Sequence, residues 1–260
     1  MNQPSKPRRD WVPVAQTWQR NPDDGELWRQ VTTMPALAFS LVEMELFGVV
    51  AGKRTCLLGI GDGTAALALA AMGARVTVVD PAQCYLDMLV VKTQLVGVEL
   101  AYVQSEFCSL AGLSDGSFQL VCAAHVAPQV SDLGRFYAEL HRILGPAGRL
   151  VVTEYHPVRR IWKQEPGHPR VRYSYFERCR EREGGWQSDP ATGAAGLERY
   201  DYQWTTADHF YYLTQAGFRV VALEEIGDVR EHWEVPNLKG LPEQLILAAD
   251  RDEGGQKTEV

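Results

Sequence analysis

From Lys53 onward, short apolar runs alternate with longer stretches of helical pattern. Arg54–Ile60 is a short apolar run that enters glycines, as a buried parallel strand does. Asp62–Met72 is rich in Ala and Leu and stops at Gly73, which predicts a helix. Arg75–Val79 is β-branched and ends at Asp80, and Pro81 stands where the helix Ala82–Val96 can begin before Gly97 ends it. Leu100–Gln104 and Phe118–Ala123 read as further strands. Leu133–Leu144 is amphipathic, the turn Gly145-Pro146-Ala147-Gly148 closes it, and Arg149–Thr153 is a fifth strand. After an interruption the rhythm resumes with a helix, Thr206–Ala216, and the strands Phe218–Glu224 and Leu245–Ala249, which no helix separates. Strands alternating with helices predict an α/β fold: a doubly wound, mostly parallel seven-stranded sheet that closes on an antiparallel C-terminal hairpin.

Two stretches stand outside this rhythm. Pro35–Val50 is apolar-rich and reads as helical, after Trp11, Trp18 and Trp28. Residues 156–204 are rich in Arg, aromatic residues, Gly and Pro, and read as an insertion over the C-terminal edge of the sheet. The expected organisation is a single domain: an N-terminal helical cap (1–50), a cofactor-binding core (51–155), a substrate-lid insertion (156–204) and the C-terminal part of the sheet (205–250). Residues 1–10 and 250–260 are polar tails.

Composition narrows the function. A chain of 260 residues with 45% apolar residues suffices for one large core. The net charge of −7 counts against a nucleic-acid partner, which needs a basic face. The five cysteines include no C-x-x-C pair and read as buried free thiols in a reducing compartment. The N-terminal MNQPSKPRRD lacks the apolar run of a signal peptide, and no stretch reaches the ~18–20 apolar residues of a membrane span. A cytoplasmic protein without a membrane partner, monomer or homodimer, is expected.

The central chemical signal is Leu57-Leu58-Gly59-Ile60-Gly61-Asp62-Gly63 at a strand-to-helix junction. Glycines there let the backbone turn tightly and approach a ligand with no Cβ in the way. Asp80 follows at the end of the second strand, where a carboxylate can accept hydrogen bonds from both ribose hydroxyls. Thr64 stands where a dinucleotide motif would have its third glycine. S-adenosylmethionine (SAM) has no pyrophosphate to cradle and does not need that pattern, so SAM is favoured over a nicotinamide or flavin cofactor.

The run CLLGIGDGTAALALAAMGARVTVVDPAQCYLDML resembles the first two cofactor-binding segments of class I SAM-dependent methyltransferases. SDGSFQLVCAAHVAPQVSDLGRFYAELHRILGPAGRLVVTEYHP resembles their fourth and fifth strands, in the small-molecule branch often called type 11. The resemblance covers roughly residues 50–157, more weakly 205–250, and implies a Rossmann-like fold with SAM as cofactor and S-adenosylhomocysteine (SAH) as product. It implies that Gly59, Gly61 and Gly63 face the methionine moiety and ribose, with Asp62 and Pro81 in the same cofactor-binding set. Asp80 would hold the ribose, Glu106 the adenine amino group in place of the family's usual Asp, and Phe107 would line the adenine pocket. Ala123 and His125 would stand beside the sulfonium. Leu57 departs from the acidic residue the family commonly has two places before the first glycine.

Methyl transfer needs a base only if the acceptor must lose a proton. The candidate catalytic residues are His125, after the fourth strand, and Glu154 and His156, after the fifth, whose alternation sets them on one side as a base and its orienter. Trp162, Tyr173, Tyr175, Phe176, Trp186, Tyr200, Tyr202 and Trp204 suit a lid over a planar acceptor. Between Val158 and Arg182 eight Lys/Arg face three Asp/Glu, which suits an anionic substrate, and Gly184–Gly196 reads as a gate. The His and Cys spacings match no metal-ligand motif. The expected function is methyl transfer to a small-molecule acceptor, aromatic or anionic, at N, O or C. The alternatives are an RNA or protein methyltransferase, a non-catalytic SAM-binding regulator, and a nicotinamide-dependent oxidoreductase.

Overall fold

The apolar runs become a seven-stranded sheet in the order β10-β11-β5-β4-β1-β2-β3. The structure, a computed structural model, describes residues 27–163, 170–182, 199–227 and 240–252. The strands are β1 (Arg54–Leu58), β2 (Arg75–Asp80), β3 (Ala101–Gln104), β4 (Phe118–Ala124), β5 (Leu144–Tyr155), β10 (Phe218–Gly227) and β11 (Pro242–Arg251). β1 to β5 pair in parallel, and β11 runs antiparallel to both β5 and β10. The doubly wound sheet and its closing hairpin are therefore as the sequence predicts.

Alternation along each central strand feeds two apolar layers. Leu58, Val121, Leu150 and Val152 pack with helix α5 (Leu133–Ile143), helix α6 (Thr206–Gln215) and Trp204 on one face. Leu57, Leu120 and Val151 pack on the other with α3 (Thr64–Ala71), α4 (Gln83–Val96) and the N-terminal Trp28 and Phe47. α5 buries Leu133, Phe136, Tyr137, Leu140 and Ile143, the spacing of one helical stripe.

Several boundaries move for local reasons. α3 starts at Thr64 because the Asp62 carboxylate accepts the Thr64 N–H and hydroxyl in the turn before it. α4 starts at Gln83, with Pro81 outside it. The Gly145–Gly148 turn is absorbed into β5 as an irregularity: Phe118 pairs with Leu144 and Leu120 with Arg149, with Ala147 at φ +54°. The expected helix over Pro35–Val50 is a short 3-10 turn, Pro35–Ala38, then α2 (Leu41–Phe47), which Ser40 and Glu43 start with a reciprocal capping box. A short helix α1 (Leu27–Gln30) precedes them. β11 continues to Arg251, so the C-terminal tail begins later than expected.

The described parts of residues 156–204 form two small antiparallel pairs, β6 (Trp162–Lys163) with β7 (Arg170–Val171) and β8 (Cys179–Arg182) with β9 (Arg199–Tyr202). Trp204, expected in the lid, is buried in the core and donates its Nε1–H to the Val130 carbonyl at 3.0 Å. Tyr202 stacks on it. Gly184–Gly196, Trp186, Trp11 and Trp18 lie outside the described residues. All five cysteines are free; Cys56 and Cys122 are buried, whereas Cys84, Cys108 and Cys179 are half-buried. Among the described residues no helix is long and apolar enough to cross a membrane.

Candidate functional site

The strand order reverses between β1 and β4, and the glycine loop leaves β1 there, at the carboxyl end of the sheet. Gly59 (φ +80°) lies so close to the turn after β4 that a Cβ would sit 2.5 Å from Val126 Cγ1 and 2.7 Å from the Ala124 carbonyl oxygen. Gly61 (φ +57°) is the opposite case: a Cβ there meets nothing within 4 Å, so its outer side is open space bounded by backbone. One glycine is required by packing, the other lies on the open side of the loop.

Asp80 ends β2 beside this loop. Its Oδ2 accepts the Ile60 N–H at 3.2 Å and its Oδ1 the Ala82 N–H at 2.9 Å. The residue is 7% exposed. Burial pushes its carboxyl up to about 6, against the downward pull of the Ala82 and Ile60 N–H groups. Each oxygen keeps a lone pair for a further donor. Lys92 of α4 donates from Nζ to the Asp62 carbonyl at 2.6 Å and also lies 5.1 Å from the Trp28 ring centroid, tying the glycine loop to the N-terminal segment.

Between the ends of β2 and β3 a cavity of about 500 Å³ is lined by Pro81, Gln104, Ser105, Glu106, Ser109, Ala111 and Gly112. Glu106 is exposed and Pro81 borders the same space. Phe107 instead turns into the core, 4% exposed. Leu57 is likewise a core residue, 1% exposed. Ala123 is buried in β4 and pairs with Leu58. Asp62 spends its carboxylate on Thr64.

His125 adopts φ +54°, the left-handed region that non-glycine residues seldom occupy. Its ring stacks on Tyr155, centroids 4.1 Å apart, and the Arg159 guanidinium lies 4.1 Å from the same Tyr155 ring. Glu154, 3% exposed, accepts the Val126 and Ala127 N–H groups at Oε1, both at 2.8 Å. Burial pushes its carboxyl up to about 8. His156 accepts the Val158 N–H at Nδ1 (3.2 Å) and faces Glu225 Oε1 through Nε2 (2.9 Å). The expected His156–Glu154 pair is thus not formed. Both side chains are on one side of the sheet, but each is engaged by other partners.

The sequence reading missed Ile60, whose N–H grips Asp80, Lys92 and Tyr155. Ile60 carries a signal, since the residue between two turn glycines must aim its amide somewhere. Lys92 and Tyr155 carry none, because both depend on register across distant elements. Three of the insertion's basic residues are engaged by the protein itself: Arg159 with Glu243 at 3.5 Å, Arg160 with the Tyr202 carbonyl, and Arg178 with Asp208 at 2.7 Å. Among the described residues no group of His, Cys, Asp or Glu is arranged to hold a metal ion.

Residues 57–152 match the family described as a methyltransferase domain. The chain is 35% identical over 109 residues to a demethylmenaquinone methyltransferase of Thermus thermophilus, covering 41% of this chain and 49% of that protein. It is 31% identical over 131 residues to one of Clavibacter sepedonicus, covering 50% and 48%. The chain therefore spans about half the length of the curated relatives it matches. Crystal structures of an S-adenosylmethionine-dependent methyltransferase from Mesorhizobium loti (TM-score 0.63, 20% identity, 80% of this chain and 94% of that one) and a putative one from Listeria monocytogenes (TM-score 0.65, 18% identity, 87% and 98%) share the fold.

Proposed function

We propose that this protein, whose residues 57–152 match a methyltransferase-domain family, is a class I SAM-dependent methyltransferase that transfers a methyl group from SAM to a small-molecule acceptor by in-line displacement. The observation that carries the reading is the open face of Gly61 beside the buried Asp80 carboxylate, at the switch point of the sheet. The residues fit the nucleoside: a backbone-lined approach, a carboxylate with lone pairs for two hydroxyls, and a cavity between β2 and β3 large enough for a base.

When bound, SAM supplies a methyl group already activated by its sulfonium, so the chain's residues have to place the acceptor and exclude water. Gly61 leaves the approach open to the cofactor's methionine and ribose portion, while Gly59 and Gly63, expected to face it too, seat the loop against Val126 and Leu89. Asp80 accepts the ribose hydroxyls, and Pro81 and Glu106 border the adenine. His125, projecting from the left-handed turn after β4, faces the acceptor. Where the acceptor must lose a proton, His125 is the base; His156 and Glu154, with their polar atoms engaged, support the site from behind. The names of the Thermus and Clavibacter relatives and the net charge of −7 support a small-molecule acceptor over RNA. The described aromatic residues of 156–204 that remain outside the core, Trp162, Tyr173, Tyr175 and Phe176, would form part of its cover.

Thermal denaturation with SAH and with NAD(H) tests the cofactor. SAH raises the melting temperature because it binds only the folded state, and NAD(H) leaves it unchanged. Stabilisation by NAD(H) but not by SAH would replace the reading with an oxidoreductase.

A further inference from the structure

β5 grips the turn after β4 with three consecutive residues. The Thr153 carbonyl accepts the His125 N–H at 2.8 Å. The Glu154 carboxyl accepts the next two N–H groups, of Val126 and Ala127, at a single oxygen. The Tyr155 ring stacks on the His125 imidazole with 24° between their planes. A left-handed non-glycine residue is strained and persists only where its surroundings impose it. Here the surroundings are these three grips. The same turn bears on the glycine loop, because Val126 and Ala124 leave no room for a side chain at Gly59.

We propose that Glu154 is a positioning residue of the methyl-transfer site, its carboxyl holding the 125–127 turn so that His125 faces the acceptor and Val126 shapes the seat of the Gly59 loop. This rests on the methyltransferase reading above. Glu154 acts as a hydrogen-bond acceptor and not as a base: its Oε1 is spent on two backbone donors, and the side chain is buried behind the turn. Burial raises its carboxyl while the Ala127 N–H, the Arg160 cation and the Val126 N–H lower it, leaving it near 8 and neutral at pH 7. A glutamine amide has the shape and the acceptor of that neutral acid. Tyr137 and His209, hydrogen-bonded to each other at 2.6 Å, lie on the same side, and His209 borders the small cavity behind Glu154.

The test compares the unmodified protein with Glu154→Gln and Glu154→Met, reading SAH affinity by calorimetry and the His125 imidazole resonances by NMR. Glu154→Met fills the space without an acceptor; it weakens SAH roughly tenfold, the scale of releasing one or two backbone donors, and moves the His125 signals. Glu154→Gln stays within about twofold on the same scale and leaves the signals in place. Glutamine as damaging as methionine would mean that the acid's proton or charge, not its acceptor, is what counts. Unchanged affinity and signals in folded Glu154→Met would remove the clamp. Hydrogen exchange in the unmodified protein reads the clamp without substitution: slow Val126 and Ala127 amides support it and fast ones overturn it. An unmodified protein that does not bind SAH would refute the methyltransferase reading, while the His125 signals would still test the clamp.

Discussion

The Asp80 carboxyl titrates near 6 although two backbone N–H groups hold it, because burial beside the glycine loop outweighs them. A carboxylate with a raised folded pKa takes up a proton on folding, so its ionisation lowers stability as pH rises from about 4 to about 6. Ribose hydroxyls donate to the ionised form, so SAH affinity should rise over the same interval and level off above it. Asp80→Asn keeps one acceptor oxygen and turns an NH2 toward the other backbone N–H, so it should melt lower than the unmodified protein and bind SAH weaker by about 1.5–3 kcal/mol, the scale of hydrogen bonds to a charged group. Calorimetry with matched melting curves checks both, and unchanged affinity would remove Asp80 from the site. Gly61→Val makes the complementary test. It places a branched side chain in the open space and forces φ +57° on a β-branched residue, so SAH binding should be lost in calorimetry. Asp80 and the glycines were legible in the sequence because a strand end and a tight turn are local facts. The partners of Glu154 and His156 were not, because they come from the turn after β4 and from β10, and spacing along one strand says nothing of those.

At the scale of elements, caps and stripes decided what could be foreseen. α5 was clear from its apolar stripe, and its start is fixed by the Asp132 carboxylate, which accepts the Arg135 N–H at 2.9 Å. Asp132→Ala should cost about 1 kcal/mol, the usual worth of such a cap, and lower the melting temperature while leaving SAH affinity unchanged. A change in affinity larger than the change in stability would mean that α5 also adjusts the cofactor side of the sheet. The insertion was less legible because its aromatic residues serve two purposes. Trp204 and Tyr202 complete the core against α5 and α6, whereas Phe176 stands 79% exposed. An aromatic run does not reveal which rings are core until the helix they pack on is in place. The closing strand β10 bulges at Val221 and carries Arg219, Glu224 and Glu225, features that blunt a free sheet edge.

At the scale of the molecule, three buried groups among the described residues bear on how stability varies with pH. Glu154 (near 8) and Asp80 (near 6) are raised by burial, so each contributes stability at low pH that is lost as pH rises through its folded value. His209 is lowered to about 4 by burial, so its contribution is complete above about 6.5 and lost as pH falls toward 4. Below about 6.5 the histidine opposes the carboxyls. From about 6.5 to 8 only Glu154 among the three still titrates differently in the folded and unfolded chain. The Glu154 carboxyl should therefore make stability fall over that interval. Glu154→Gln has no proton to exchange, so denaturant unfolding should give it a flat line between pH 6.5 and 8, crossing that of the unmodified protein's decline. A decline that survives the substitution would assign the titration to another group. It would also place the Glu154 carboxyl in its ordinary range, ionised at neutral pH and holding the Val126 and Ala127 N–H groups as a carboxylate.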